Sequence, residues 1–231
     1  MKVEALRSAM AQRSPLAGAV WAFNFGLAAD LHPERLPDGA AGAVARRALA
    51  TASGVRRLSQ NLAWVLGGVH PAFCFAEFED PVVRVALGRR EPLNRLVFLF
   101  GLAVCRKRIA RTVAKEEVRA LRGGLGEEGR AFAMRRAAFL ISDRDAERFA
   151  VPEGAPLTAD TVWACGFRGV AACVAKASSA LVTRLRLKFP PSADSVLLAG
   201  PPDDETRGAA YRVLRRIANQ EAPEAWAGFF N

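Results

Sequence analysis

The side chains able to do chemistry are few in this chain, and they do not stand in catalytic patterns. Only two histidines occur among the 231 residues, His32 and His70, and a proline follows each. Proline pushes the residue before it towards extended backbone, so we predict both histidines in rigid turns. Neither belongs to an H-E-x-x-H helix, and the chain has no P-loop and no G-x-S-x-G elbow. The sequence therefore predicts no catalytic residue and a protein that is not an enzyme.

Three other patterns resemble ligand sites but are better interpreted as structural. Gly123-Gly124-Leu125-Gly126 is glycine-rich, yet a predicted helix precedes it, whereas dinucleotide-binding glycines follow a strand. Asp143, Asp145 and Glu147 alternate, but the glycine and the distal glutamate of a calcium loop are missing. The cysteines form no C-x-x-C pair, and isolated cysteines are mostly small buried hydrophobic residues. They are Cys74, Cys105, Cys165 and Cys173. We predict no cofactor and no metal.

Charge is the positive signal in this sequence. Lys and Arg number 33 against 23 Asp and Glu, which gives a net charge of +10. Residues 105–136 contain ten of these bases and four acids, so this stretch carries more than half of the excess. Such a surface favours an acidic protein, nucleic acid or an anionic membrane, but it is equally compatible with a solvated face that has no partner. The candidate partner-binding residues are Arg106, Lys107, Arg108, Arg111, Arg184 and Arg186.

Hydrophobic periodicity predicts a mainly α fold. Apolar residues make up 51% of the chain, enough for a substantial core. The clearest helix is predicted at 91–111, where Pro92 suits the first turn and apolar residues surround the middle, as in a helix at the centre of a fold. Further helices are predicted at 40–52, 55–66, 115–122 and 127–140, and from Asp203 onwards. A loop packed on the core is expected at 69–80.

The domain organisation is predicted to be simple. We expect a loose N-terminal leader at 1–20, then a compact multi-helix single domain at 21–231 that begins with an irregular segment. Prolines bracket that segment, Leu31-His32-Pro33-Glu34-Arg35-Leu36-Pro37. The one candidate subdomain boundary is the Pro/Gly-rich break at 151–157.

The region that follows this break contains the main ambiguity of the secondary structure. Thr158 or Asp160 is predicted to cap a long helix that continues through Leu181. From Arg184 to Phe189, basic and apolar residues alternate with the period of a strand. One short strand or hairpin near residues 183–200 is therefore an alternative to a last helical turn.

The sequence also bears on location. The first twenty residues lack the apolar core of a signal peptide. The longest apolar run, Leu96 to Cys105, is about half of the roughly 20 residues that a membrane span needs. We expect a cytoplasmic protein.

Three blocks, in order, resemble the SctK family of type III secretion sorting-platform accessory proteins, which includes YscK and PscK. Phe23-Asn24-Phe25 and the following Ala28 to Pro37 are similar to the family's N-terminal block, although Asp30 stands where the family usually has tyrosine. Leu96 to Val113 is similar to its central apolar helix. Thr183 to Pro190 is similar to its R-L-x-L-R-L-P ending, and Phe229-Phe230 to its L-F tail.

This resemblance implies a non-enzymatic cytoplasmic adaptor, peripheral at the cytoplasmic face of the bacterial inner membrane. The implied partners are the cytoplasmic domain of the inner-membrane ring protein (SctD) and the cytosolic pod and ring component (SctQ), with the export ATPase complex as an indirect partner. No small-molecule substrate is implied. The high positive charge also allows an alternative function, that of a basic helical nucleic-acid-binding regulatory protein. The sequence shows no convincing recognition helix and no aromatic residues interleaved with the bases, however.

Overall fold

Helices form nearly all the regular structure in this computed structural model, which describes residues 14–65, 76–152, 154–199 and 202–230. Short 3-10 turns join the helices, and the described residues contain no strand. The predicted mainly α fold is thereby confirmed. The α-helices are α1 (Pro15–Phe25), α2 (Gly39–Leu49), α3 (Ala52–Val65), α4 (Arg90–Arg111), α5 (Lys115–Arg135), α6 (Asp143–Phe149), α7 (Ala159–Val174), α8 (Ser179–Arg186), α9 (Asp194–Leu197) and α10 (Asp204–Glu221).

The strand or hairpin considered near residues 183–200 is wrong, and the helical alternative is correct. Helix α8 runs through Arg186, and the Ser178 side chain caps it by accepting a hydrogen bond from the Leu181 amide at 3.2 Å. Leu181 and Leu185 lie one turn apart, and both are completely buried. The alternation was misleading because a run of six residues is too short for its period to distinguish a strand from a helix.

Two predicted helix boundaries also lie elsewhere. The break expected at Gly123-Gly124 occurs at Gly126, whose φ of 71° is a left-handed conformation that favours glycine. The long helix expected from Thr158 through Leu181 is two helices, because α7 ends at Val174 and Ser178 caps α8. Thr158 is the cap of α7, with its hydroxyl accepting from the Thr161 amide at 3.3 Å.

The fold divides into two compact units, each built from separated parts of the chain. Among the described residues, the first unit comprises 14–65, 76–90, 176–194 and 227–230, and the second comprises 91–152, 154–175, 195–199 and 202–226. The boundary predicted at 151–157 lies inside the second unit. The single domain over 21–231 stays a prediction.

Two other predicted segments are only partly described. Residues 15–20 of the predicted leader belong to α1, whereas residues 1–13 lie outside the described residues. Of the loop expected at 69–80, with His70 and Cys74, only residues 76–80 are described. Phe78 in that part is buried, as expected for a loop packed on a core.

The core of the first unit brings the N-terminal helices against the segment at 176–194. Leu27 and Leu31 pack with Leu187 in one buried cluster. The Ser59 hydroxyl on α3 accepts a hydrogen bond from the Ala28 amide at 3.0 Å, which ties the turn after α1 to that helix. These contacts make the irregular segment part of the core.

The core of the second unit depends on a close approach of α4 and α7. A methyl group at Gly101 would lie 1.9 Å from the carbonyl oxygen of Val162, and one at Gly166 would lie 2.1 Å from that of Val97. No side chain fits in either place, so glycine is required at both. The Sγ atoms of Cys105 and Cys165, also on these helices, are 3.7 Å apart as free, buried thiols. The helix expected at the centre of the fold, α4, has this buried position within its unit.

We expect Gly101→Ala and Gly166→Ala each to lower the free energy of unfolding by about 2 kcal/mol or more, because the added methyl group forces the two helix backbones apart. Urea unfolding monitored by circular dichroism measures the effect. The control is Gly123→Ala in α5, where the new methyl group meets nothing within 4 Å. Better helix propensity should make that variant neutral or more stable by up to about 1 kcal/mol. Equal stability of the variants at residues 101 and 123 would contradict the requirement.

Candidate partner-binding site

The first and third blocks of the sequence meet in the first unit, although more than 140 residues separate them. The His32 amide donates a hydrogen bond to the carbonyl oxygen of Leu187 at 2.8 Å. His32 also begins a 3-10 turn, its Nδ1 accepting from the Glu34 amide at 3.3 Å. Burial lowers the pKa of His32, which favours the neutral ring that this acceptor role requires. His32 therefore serves the backbone of this junction.

One carboxylate, that of Asp194, joins the two blocks through two arginines. The guanidinium of Arg186 donates from Nε to Oδ1 of Asp194 at 3.0 Å and from a terminal nitrogen to Oδ2. Arg35 donates to both carboxylate oxygens and also, from Nε, to the carbonyl oxygen of Phe189 at 2.8 Å. Bidentate arginine pairs of this kind combine strength with a fixed geometry. Mainly through the hydrogen bonds from Arg186, these contacts lower the pKa of Asp194 to about 2.

A buried lysine is the second charged feature of this junction. Nζ of Lys188 donates to the carbonyl oxygens of Ala86 at 2.9 Å and Gly88 at 2.7 Å, and lies 3.8 Å from Oδ2 of Asp30. The ammonium group is also 5.1 Å from the centre of the Phe23 ring. Burial lowers the pKa of Lys188 to about 8, while the Asp30 carboxylate opposes that shift. The neighbours of Lys188 satisfy its charge inside the fold, so the residue is architectural.

Of the six predicted partner-binding residues, Arg106 and Lys107 share one carboxylate at the end of α4. Arg106 is only 9% exposed and donates to the carbonyl oxygen of Ala103 at 3.2 Å and to Asp143. Lys107 is about half exposed and lies 2.7 Å from the other oxygen of Asp143. Both residues thus pair with Asp143, but Arg106 is buried, whereas about half of the Lys107 side chain is exposed.

The other four residues are divided in the same way. Arg108 is half-buried and donates to the carbonyl oxygen of Ala155. Arg184 is buried, and Arg186 pairs with Asp194 as described above. Arg111 is exposed at the C-terminal end of α4. Partner binding by these six residues stays a prediction, and Lys107 and Arg111 are the two of them that are exposed.

The basic stretch at 105–136 nevertheless forms a charged surface. Its four acids are all exposed, which moderates the positive charge. The exposed bases are Lys107, Arg111, Lys115, Arg119, Arg122, Arg135 and Arg136. This is a mixed surface with a positive excess.

Sequence reasoning missed the charged junction of the first unit. Asp30, Lys188 and Asp194 were not predicted to pair inside the fold, because charged residues in short irregular segments usually face water. One signal was present, since Lys188 lies between Leu187 and Phe189, both buried in the structure. The carboxylate that lies 3.8 Å from Lys188 belongs to Asp30, which occupies the position where the SctK family usually has tyrosine.

The described residues contain no group of three or more His, Cys, Asp or Glu side chains that could hold a metal ion. Within the described part of the chain, no helix is both long and apolar enough to span a membrane.

Comparison with known proteins gives the class and then the family. The chain is a helical protein of the bacterial type III secretion machinery. Proteins of this class are structural or accessory parts of that machinery and are not a known enzyme family. The family model for YOP proteins translocation protein K (YscK) matches residues 21–227, which is most of the chain. The protein therefore belongs to the YscK family, as the three blocks predicted. No curated protein and no solved structure matches the chain.

We expect Asp194→Asn to lower the free energy of unfolding by about 2 kcal/mol at pH 7, because two arginines lose their carboxylate. The native pKa of Asp194, about 2, lies below its ordinary value of 3.8. The contribution of this carboxylate is therefore complete above about pH 5 and is lost as the pH falls through the native pKa. Urea unfolding of both proteins at decreasing pH measures the difference.

The matched control for this experiment is Asp38→Asn. Asp38 is exposed and makes no capping hydrogen bond at the start of α2, so its neutralisation should change little. A difference between wild type and Asp194→Asn that stays constant with pH would show that the carboxylate charge is not what the two arginines require.

Proposed function

We propose that this protein is a non-enzymatic adaptor of the type III secretion sorting platform. It joins the cytoplasmic domain of the inner-membrane ring protein SctD to the cytosolic component SctQ, and through SctQ it connects indirectly with the export ATPase complex. Its place would be the cytoplasmic face of the inner membrane. The observation that carries this proposal is the YscK family match over residues 21–227.

The distribution of charge supports an adaptor. In the first unit, Arg35, Arg186 and Lys188 are bonded to carboxylates or carbonyl oxygens within the same unit. In the second unit, Arg106 is buried and bonded in the same way, whereas Arg111 is exposed and Lys107 is about half exposed while paired with Asp143. An accessible charged surface suits a protein that binds others through complementary charge.

The direct test is a binding experiment with both proposed partners. Purified full-length protein should bind the cytoplasmic domain of the ring protein and, separately, SctQ from the same bacterium, measured by calorimetry. Size-exclusion chromatography of the three proteins should then give a single ternary complex. Absence of binding to either partner refutes the adaptor function, and two mutually exclusive complexes refute the bridging role.

We expect Arg111→Glu combined with Lys115→Glu to weaken binding to one of these partners by about tenfold, because reversing exposed charges turns attraction into repulsion at an acidic surface. The effect should decrease as salt is added, since exposed charges are screened. Arg106 and Arg108 are unsuitable probes, because changing them would break the intramolecular contacts described above.

The control with the same change in net charge is Arg56→Glu combined with Arg57→Glu, at exposed positions of α3. Equal loss in both double variants would indicate a general effect of net charge. Unchanged affinity in the variant at residues 111 and 115 would mean that the basic end of α4 is only a solvated face.

The nucleic-acid alternative predicts a different salt dependence. Binding that depends on phosphate contacts is tight at low salt and falls steeply as salt rises, because counterions are released. A gel shift at near-physiological salt should show only weak binding without sequence preference if the adaptor proposal is correct.

A further inference from the structure

An exposed phenylalanine stands on the turn that follows α5. Phe139 is 79% exposed, more than any other aromatic residue among those described. A single exposed apolar side chain is ordinary on a protein surface, so exposure alone carries no meaning. The backbone and the neighbours of Phe139 distinguish it from such a residue.

The turn that carries Phe139 is firmly held. Ala137, two residues before Phe139, and Leu140, directly after it, are completely buried. The Phe139 amide donates to the carbonyl oxygen of Arg136 at 3.0 Å, and the Leu140 amide donates to that of Ala137 at 3.1 Å. From α10, Nη1 of Arg216 donates to the carbonyl oxygens of Phe139 at 3.4 Å and Leu140 at 3.1 Å. Turning the backbone to bury the ring would break these contacts, so the ring is presented in a preorganised position that lowers the entropy cost of binding.

Two arginines adjoin the turn that carries this ring, since Arg136 precedes the turn and Arg216 donates to its backbone. Arg136 and Arg216 are both exposed. Arg136 pairs with Glu221 at 2.8 Å. The hydrogen bonds of Arg216 go to backbone carbonyls, so its charge has no carboxylate partner in the described part of the chain. Met134 and Arg135, in the last turn of α5, are exposed as well. Aromatic residues, methionine and arginine are the side chains that protein interfaces favour.

We propose that Met134, Arg135, Arg136, Phe139 and Arg216 form a protein-binding surface, with Phe139 as its apolar anchor. The positive charge around the ring selects a partner protein that has an apolar pocket rimmed by carboxylates. The inference rests on the adaptor function proposed above, and this surface would bind one of the two partners. A membrane is the less favoured occupant, because one ring on a tight turn buries far less apolar surface than the face of an interfacial helix.

The test is the affinity of wild type, Phe139→Ala, Phe139→Leu and Leu198→Ala for each purified partner, the ring-protein cytoplasmic domain and SctQ. Phe139→Ala should reduce the affinity for one partner by about tenfold or more, and Phe139→Leu should recover part of it. Leu198 is a control, because it is also an exposed apolar residue of the second unit, at 57%. Circular dichroism and urea unfolding should be unchanged in Phe139→Ala, since the ring makes little contact with the fold.

Each outcome has a separate meaning. If wild type binds a partner and Phe139→Ala binds it equally well, the surface is refuted while the adaptor function stands. If wild type binds neither partner, the adaptor function fails and the inference fails with it. Equal losses in Phe139→Ala and Leu198→Ala also refute a specific anchor. If Phe139→Ala instead abolishes co-sedimentation with phosphatidylglycerol vesicles and leaves both protein affinities unchanged, the ring is a membrane contact and the protein surface is refuted.

Discussion

The shared carboxylate of Asp194 is the constraint on which the first unit depends. Two arginines from distant segments, Arg35 and Arg186, donate to its oxygens, and Arg35 also donates to the backbone of residues 189 and 190. Segments this irregular have few repetitive backbone hydrogen bonds to hold them in place. The two bidentate arginines fix the relative position of these segments, because a planar guanidinium binds a planar carboxylate in few orientations. The proline-bounded segment thereby acquires one position relative to the end of α8.

Buried charge has a further consequence for function. A charged group that is desolvated and fully paired stabilises one arrangement, but it is withdrawn from any partner. Lys188 illustrates this, since its ammonium group lies among the Ala86 and Gly88 carbonyl oxygens, the Asp30 carboxylate and the Phe23 ring. A strongly basic composition therefore overstates the surface that is available for recognition. The exposed bases within 107–136 and the ring of Phe139 are therefore better candidates for partner binding than the buried Arg106 and Arg184 or the paired Arg186.

In the second unit, the packing of α4 against α7 depends on two glycines. Gly101 and Gly166 allow backbone to lie against side chain and backbone where any larger residue would collide. Apolar residues around all sides of the central helix predicted its burial, and α4 is indeed buried along its middle. The sequence did not predict that α7 packs against α4, or that Gly101 and Gly166 lie at the contact, because no local pattern in one helix identifies its packing partner.

How much was predictable depended on the range of the interactions involved. The sequence by itself determined the helical class, a helix start capped by Thr158 or Asp160, and the family, because helical periodicity, capping side chains and ordered motifs are local properties. It did not determine the break at Gly126 or the helical state of residues 184–186, since short runs satisfy more than one period and neighbouring glycines are locally alike. Only the tertiary structure decided which charges are buried. Arg106 and Lys107 are adjacent in sequence, and the packing around α4 buries the first and exposes the second. Arg35 and Asp194 are 159 residues apart in sequence, so only the folded chain brings them together.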